Sequence, residues 1–180
     1  VMELYKRRSA TNTLDFIDVM IEQLPFPLQR IQCDRGREFF TVKVQEKLMK
    51  YSIKFRPVKP GSPHLNGKVE HSQKTDLREF YANTDLSNFE ILKNQLKEWQ
   101  FSYNYQRLHG SLKGKTPAQY SGELGDKTPL WEDVIAAYDL SKEHIQEQNY
   151  KIELAFRKAL SIQNWNETIA HFLIKFEDRI

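Results

Sequence analysis

The stretch "QCDRGREFF", residues 32–40, puts an aspartate at the end of a short apolar run and follows it with a Gly-containing turn. Working outward, "LQRIQCD" (28–34) reads as a strand that closes on Asp34. "FTVKVQEKLMKYS" (40–52) carries Val44, Leu48 and Tyr51 at helical spacing. "IKFRPV" (53–58) alternates apolar and basic residues, which suits a strand with one covered face. Strand, helix and strand around a terminal aspartate predict an α/β protein.

The flanks extend this pattern. "MELYKRR" (2–8) suits a short strand. "SATNTLDFIDVMIEQL" (9–24) places Leu14, Ile17, Ile21 and Leu24 on one helical face, with Ser9 or Thr11 as N-cap, and "PFP" at 25–27 ends it. "KPGSPHLNG" (59–67) holds two prolines and two glycines in nine residues and reads as a loop. "KVEHSQKTDLREFYAN" (68–83) and "LSNFEILKNQLKEWQFSYNYQR" (86–107) read as helices, and "LHGSLKGKTPAQY" (108–120) as a loop leading into a short turn or helix. Further on, Ile145, Asn149, Ile152, Phe156 and Ala159, then Trp165, Ile169, Phe172 and Phe176, predict two amphipathic helices with a break near Asn164 or Asn166.

Composition narrows the class. The 180 residues are 39% hydrophobic and 12% aromatic, enough for a buried core and unlike a disordered chain. A single cysteine, Cys33, excludes a disulfide framework and reads as intracellular. No apolar run is long enough to span a membrane. The net charge of +3 is uneven: residues 1–125 hold 20 Lys/Arg against 14 Asp/Glu, whereas residues 126–180 hold 7 against 10. Residues 30–59 alone hold nine basic and three acidic side chains. Such a face suits a polyanion, and equally an ordinary solvated surface.

Asp34 and Glu70, with 35 residues between them, are the acidic pair of interest. A strand end and a helix start can converge at one sheet edge. Mg²⁺ takes hard oxygen ligands, often one or two carboxylates completed by water and phosphate oxygens. Two such ions about 3.5–4 Å apart can activate a nucleophile and stabilise a leaving oxygen in phosphodiester displacement. Each carboxylate also has a structural reading: Glu70 in a first helical turn answers the helix dipole. Lys68, Lys74 and Arg78 share its helix, and Arg35 and Arg37 flank Asp34. Lys74 suits either an i,i+4 pair with Glu70 or a phosphate contact. His64 and His71 have no partners at a transition-metal spacing.

Three blocks, "IQCDRGREF", "IKFRPVKPGSPHLNGKVEHSQKT" and "WQFSYNYQRLHGSLKGKTPAQY", resemble in order the integrase core of insertion-sequence transposases, in the retroviral-integrase superfamily with its D,D(35)E signature. The resemblance covers roughly residues 3–140. It implies an RNase H-like fold, with Asp34 as the second catalytic aspartate, Glu70 as the glutamate, and both holding Mg²⁺ or Mn²⁺. It also implies DNA contacts from Arg35, His64, Asn66, Lys68, Lys74 and Arg78. Residues 1–125 would form a partial catalytic core and residues 126–180 a helical C-terminal extension.

Family spacing would put the first catalytic aspartate before residue 1, with residues 2–8 as the third strand. Asp15 and Asp18 sit in a helical pattern and are poor substitutes. The expectation is an N-terminally truncated core, impaired in cleavage and strand transfer as an isolated chain. The implied partners are DNA (transposon ends and target) and a second copy or intact transposase, with a bacterial, cytoplasmic and nucleoid-associated location. The alternative is a non-catalytic DNA-binding or oligomerising remnant that regulates intact transposase.

Overall fold

The computed structural model describes residues 1–59 and 67–148. Helix α1 (Ala10–Gln23) starts where Ser9 stays extended and its hydroxyl accepts from Asn12 N–H at 3.2 Å. It stops at Leu24, because the residue before a proline avoids helical backbone. Strand β1 (Arg30–Ile31) follows, then a 3₁₀ turn (Arg37–Phe40) and helix α2 (Val42–Lys50). Strand β2 (Lys54–Phe55) runs parallel to β1.

The ladder outruns these short assignments. Lys54, Arg56 and Val58 donate their N–H groups to the carbonyls of Gln29, Ile31 and Cys33 at 2.9–3.0 Å. Alternate residues of β2 therefore face β1, and Pro57, which has no N–H to offer, falls on the other edge, where none is required.

The turn from α2 into β2 sets the register. Ser52 N–H bonds Met49 O at 3.0 Å, and Ile53 N–H bonds Leu48 O at 2.8 Å, the two bonds of a Schellman cap. Ser52 adopts φ 58°, the left-handed region. Leu48 and Ile53, joined by the cap, are both buried. With Ile17, Val44 and Phe55 they form a core against which Leu14, Ile21, Leu28, Ile31, Phe39 and Phe40 pack. Phe40 meets Phe55 edge-on with centroids 5.4 Å apart.

Helix α3 (Gly67–Glu79) is followed by a 3₁₀ turn (Tyr81–Asn83) and helix α4 (Phe89–Tyr105), which is capped by Asn88 Oδ1 accepting from Glu90 and Ile91 N–H. Phe80, Leu92 and Leu96 make a second core, with Met2, Leu4, Tyr81 and Trp99 packed on it. Helix α5 (Pro117–Glu123) opens on a capping box between Thr116 and Gln119, and helix α6 (Trp131–Ala136) buries Val134. The α/β class is as expected, and so is each predicted helix between residues 9 and 107.

Two expectations are corrected or left aside. Residues 2–8 are not a strand. Alternation alone does not make one without a neighbour, and the only ladder among the described residues joins β1 to β2. This segment is held by side chains instead: Met2 and Leu4 on the second core, the Tyr5 hydroxyl donating to Asp15 Oδ2 at 2.5 Å, and Lys6 over the Phe89 ring at 5.1 Å. Of the predicted tail helices, the start at Ile145 is corrected, since residues 145–148 carry no helix and are held by hydrogen bonds to α2 and β2; the rest lies outside the described residues.

A left-handed serine costs roughly 1–2 kcal/mol relative to a residue at ease there. Ser52→Gly is therefore expected to raise the urea midpoint, with a gain of about 0.5–1 kcal/mol after the extra chain entropy of glycine is subtracted. Equilibrium urea denaturation checks it.

Candidate functional site

Asp34 lies one residue past the last ladder carbonyl, that of Cys33. It is exposed, and its Oδ1 accepts the Gly36 N–H at 3.2 Å, which turns the chain away from the sheet. Burial pushes the Cys33 thiol up to about 12, helped by the negative charges of Asp34 and Glu38. Arg35 does not stretch into solvent: its guanidinium lies over the Phe40 ring at 5.0 Å. Close approach of a cation to a ring face stabilises by about 0.5–1 kcal/mol at a partly exposed position.

Glu70 stands in the first turn of α3. It is exposed, as are Lys68, Lys74 and Arg78. Glu70 and Lys74 do not close into an ion pair among the described residues, so the lysine's charge is not committed to the glutamate. His64 and Asn66 lie outside the described residues, between β2 and α3 in sequence. Asp15 accepts from Tyr5, and Asp18 pairs with Lys47 Nζ at 2.5 Å, so both aspartates of α1 are engaged in holding the fold.

Asp34 and Glu70 offer the hard oxygens a divalent cation prefers, each with basic side chains nearby in sequence. Among the described residues no three His, Cys, Asp or Glu side chains gather at metal-holding distances. Single carboxylates of this kind suit an ion that keeps water or phosphate oxygens in its shell, not a closed all-protein cage.

What braces the Asp34 turn has no counterpart among the sequence expectations. Residues 143–148 run back across α2 and β2. The Gln45 carboxamide, on a residue only 1% exposed, donates to Gln146 O at 2.8 Å and accepts from Gln146 N–H at 2.8 Å, like a strand partner. Its Nε2 also reaches Phe40 O at 3.2 Å. Gln146 Nε2 donates to Phe55 O on the outer edge of β2 at 3.2 Å, and Gln148 Nε2 to Arg35 O at 2.5 Å. Arg56 grips Glu143 with both prongs at 2.7 and 2.5 Å, and the Glu143 side chain is 5% exposed. Isolated glutamines give no sequence signal of such a strap, and the helical spacing that begins at Ile145 points to a different conformation.

The family match points the same way as the three sequence blocks. Residues 51–117 match the family described as "Integrase core domain". That stretch is similar to integrase-core sequence, in line with the resemblance. "Putative integrase ORF3" of Spiroplasma virus SpV1-C74 is 25% identical over 137 residues, 67% of this chain and 38% of the relative. The chain thus matches well under half of that protein's length. Among solved structures, the HTLV-2 integrase catalytic core domain in complex with magnesium (trimeric form) is 22% identical, covers 64% of this chain and 71% of its own, and has a TM-score of 0.43. The simian T-cell lymphotropic virus intasome in complex with PP2A regulatory subunit B56 gamma is 16% identical, covers 81% and 46% respectively, and has a TM-score of 0.49. Among the described residues no helix is long and apolar enough to cross a membrane.

The Glu143–Arg56 pair predicts a pH dependence. Hydrogen bonding to Arg56 holds the Glu143 carboxyl below its ordinary range. A depressed carboxyl contributes stability that is present above its unfolded pKa and lost as pH falls through the folded one. Glu143→Gln should cost about 1–2 kcal/mol at pH 7. The gap between the two proteins should close as the pH is lowered towards about 3, below the unfolded carboxyl range, which paired urea titrations at the two pH values would read.

Proposed function

We propose that this chain is part of an RNase H-like integrase core that binds DNA and contributes Asp34 and Glu70 to metal-dependent phosphodiester cleavage and strand transfer. The observation that carries the reading is the family match over residues 51–117, which includes Glu70 and its helix, directly after the strand that pairs with the Asp34 strand.

The roles divide by position. Asp34 and Glu70 would hold Mg²⁺ or Mn²⁺. When bound, such an ion polarises a phosphoryl oxygen and lowers the pKa of an attacking hydroxyl. Lys68, Lys74 and Arg78, exposed along α3, would sit against phosphates and fix the register of the duplex without reading its sequence. His64 and Asn66, shortly before α3 in sequence, would contact the DNA as well. Arg35, folded over Phe40, would act at closer range, its charge positioned beside Asp34. The attacking hydroxyl, from water or a 3′ end, would displace the leaving oxygen in line, with no protein nucleophile. DNA ends and target, and a second copy or an intact transposase, are the partners this reading implies.

A non-catalytic DNA-binding role is the second reading, favoured by the lack of a third grouped acid among the described residues.

Duplex DNA binding should weaken linearly in log–log form with salt, and Lys68→Ala/Lys74→Ala should lower the slope by about 2, since each lost phosphate contact removes roughly 0.9. Fluorescence anisotropy over a salt series measures this; an unchanged slope removes α3 from the interface. Asp34→Asn and Glu70→Gln should each weaken Mn²⁺ binding, read by electron paramagnetic resonance; Mn²⁺-dependent nicking of labelled DNA by the chain, impaired without a third site carboxylate, should be weak, and either variant should remove what remains. Wild-type DNA binding without nicking would favour the second reading.

A further inference from the structure

We propose that Arg107 is a positioning residue for Glu70, setting the direction of α3 by gripping that helix at its far end. The inference rests on reading Glu70 as a site carboxylate.

Helix α3 has no buried residue, and residues 67–74 are all exposed. A helix is ordinarily oriented by an apolar stripe packed on its neighbours. With no such stripe, the direction of α3 has to come from elsewhere. Two polar contacts from α4 and the residues just after it reach α3, both in its second half. Trp99 Nε1 donates to Asp76 Oδ1 at 3.2 Å. The Arg107 guanidinium embraces the Glu79 carboxylate, Nη2 to Oε1 at 2.9 Å and Nη1 to Oε2. Asp76 and Glu79 are three residues apart and share one face of the helix. Phe80, 5% exposed in the second core, pins the chain directly after them. One apolar pivot and two polar struts therefore define both tilt and rotation.

Arg107 is itself seated. Its guanidinium lies over the Tyr103 ring at 5.3 Å, and Tyr103 meets His109 edge-on at 4.8 Å and Trp99 at 5.9 Å. His109 in turn bridges to Lys115 across a tight turn with Lys113 and Gly114 at positive φ. The "YNYQRLHGSLKGK" stretch thus serves physically as the mount for the strut.

Leverage makes the strut matter. Glu70 precedes Glu79 by nine residues, roughly 13 Å along a helix axis. A swing of about 10° at the clamp moves Glu70 by roughly 2 Å over that arm. Misplacement of about 1 Å can cost around a hundredfold in rate. The pair is about one-third exposed on each side, so its contribution to overall stability is small. A planar two-pronged grip fixes geometry in a way a lysine's point charge cannot.

The test uses the full chain with Arg107→Lys, Arg107→Ala and the reversed pair Glu79→Arg/Arg107→Glu. Amide hydrogen exchange over residues 68–79 reads the clamp directly, and nicking kinetics read its consequence. In both single variants, exchange there should accelerate about tenfold while the urea midpoint stays nearly fixed. The kcat for Mn²⁺-dependent nicking should fall about 10- to 100-fold with KM within twofold, and the reversed pair should restore much of both. Unchanged exchange in the two single variants overturns the clamp. So does a kcat loss that the reversed pair does not recover although protection returns. A working clamp combined with a Glu70→Gln variant that leaves Mn²⁺ binding and nicking untouched overturns the assignment of Glu70 instead.

Discussion

One carboxamide joins three parts of this chain that are distant in sequence. The side chain of Gln45 is enclosed at the start of α2, and a buried amide left without partners costs about 1–3 kcal/mol. Here both of its ends are used, on Phe40 O and on both backbone groups of Gln146. The 3₁₀ turn, α2 and the strap at 143–148 are thereby fixed to one another, and the Asp34 turn hangs from that joint through the carbonyl of Arg35. Residues well past the family-matched stretch thus help to shape the ground on which the proposed chemistry would stand.

The basic side chains fall into two physical groups. Arg35, Arg56 and Arg107 are each held against a ring or a carboxylate, and the charges of Arg56 and Arg107 are balanced by their carboxylates. Lys68, Lys74 and Arg78 project from an exposed helix, Arg78 with the Glu79 carboxylate close by. The second group keeps its counterion cloud and can release it when a polyanion arrives. Counting positive charges along the sequence mixes the two. The surplus in residues 30–59 is partly internal bracing.

What could be read from the sequence follows the range of each interaction. Helix α1 was legible because its cap, stripe and proline stop are all local, although the choice between Ser9 and Thr11 required the coordinates. The two strands around α2 and the position of Asp34 were legible because the apolar pattern changes period there. Residues 2–8 misled because a strand exists only where a neighbour pairs with it, which a short local stretch does not reveal. The glutamine strap and the Arg107–Glu79 grip were illegible: each depends on one polar side chain meeting a group 28 to 113 residues away, a pairing that no periodicity encodes.

Cys33 is the chain's sole thiol, and it sits immediately before Asp34 at the end of the ladder. Its raised pKa keeps it as the unreactive protonated form while the fold is intact. When the ladder parts, that protection disappears. A half-buried thiol beneath the candidate site is thus a reporter the chain already owns: whatever loosens that strand would quicken its alkylation, with no label to be engineered.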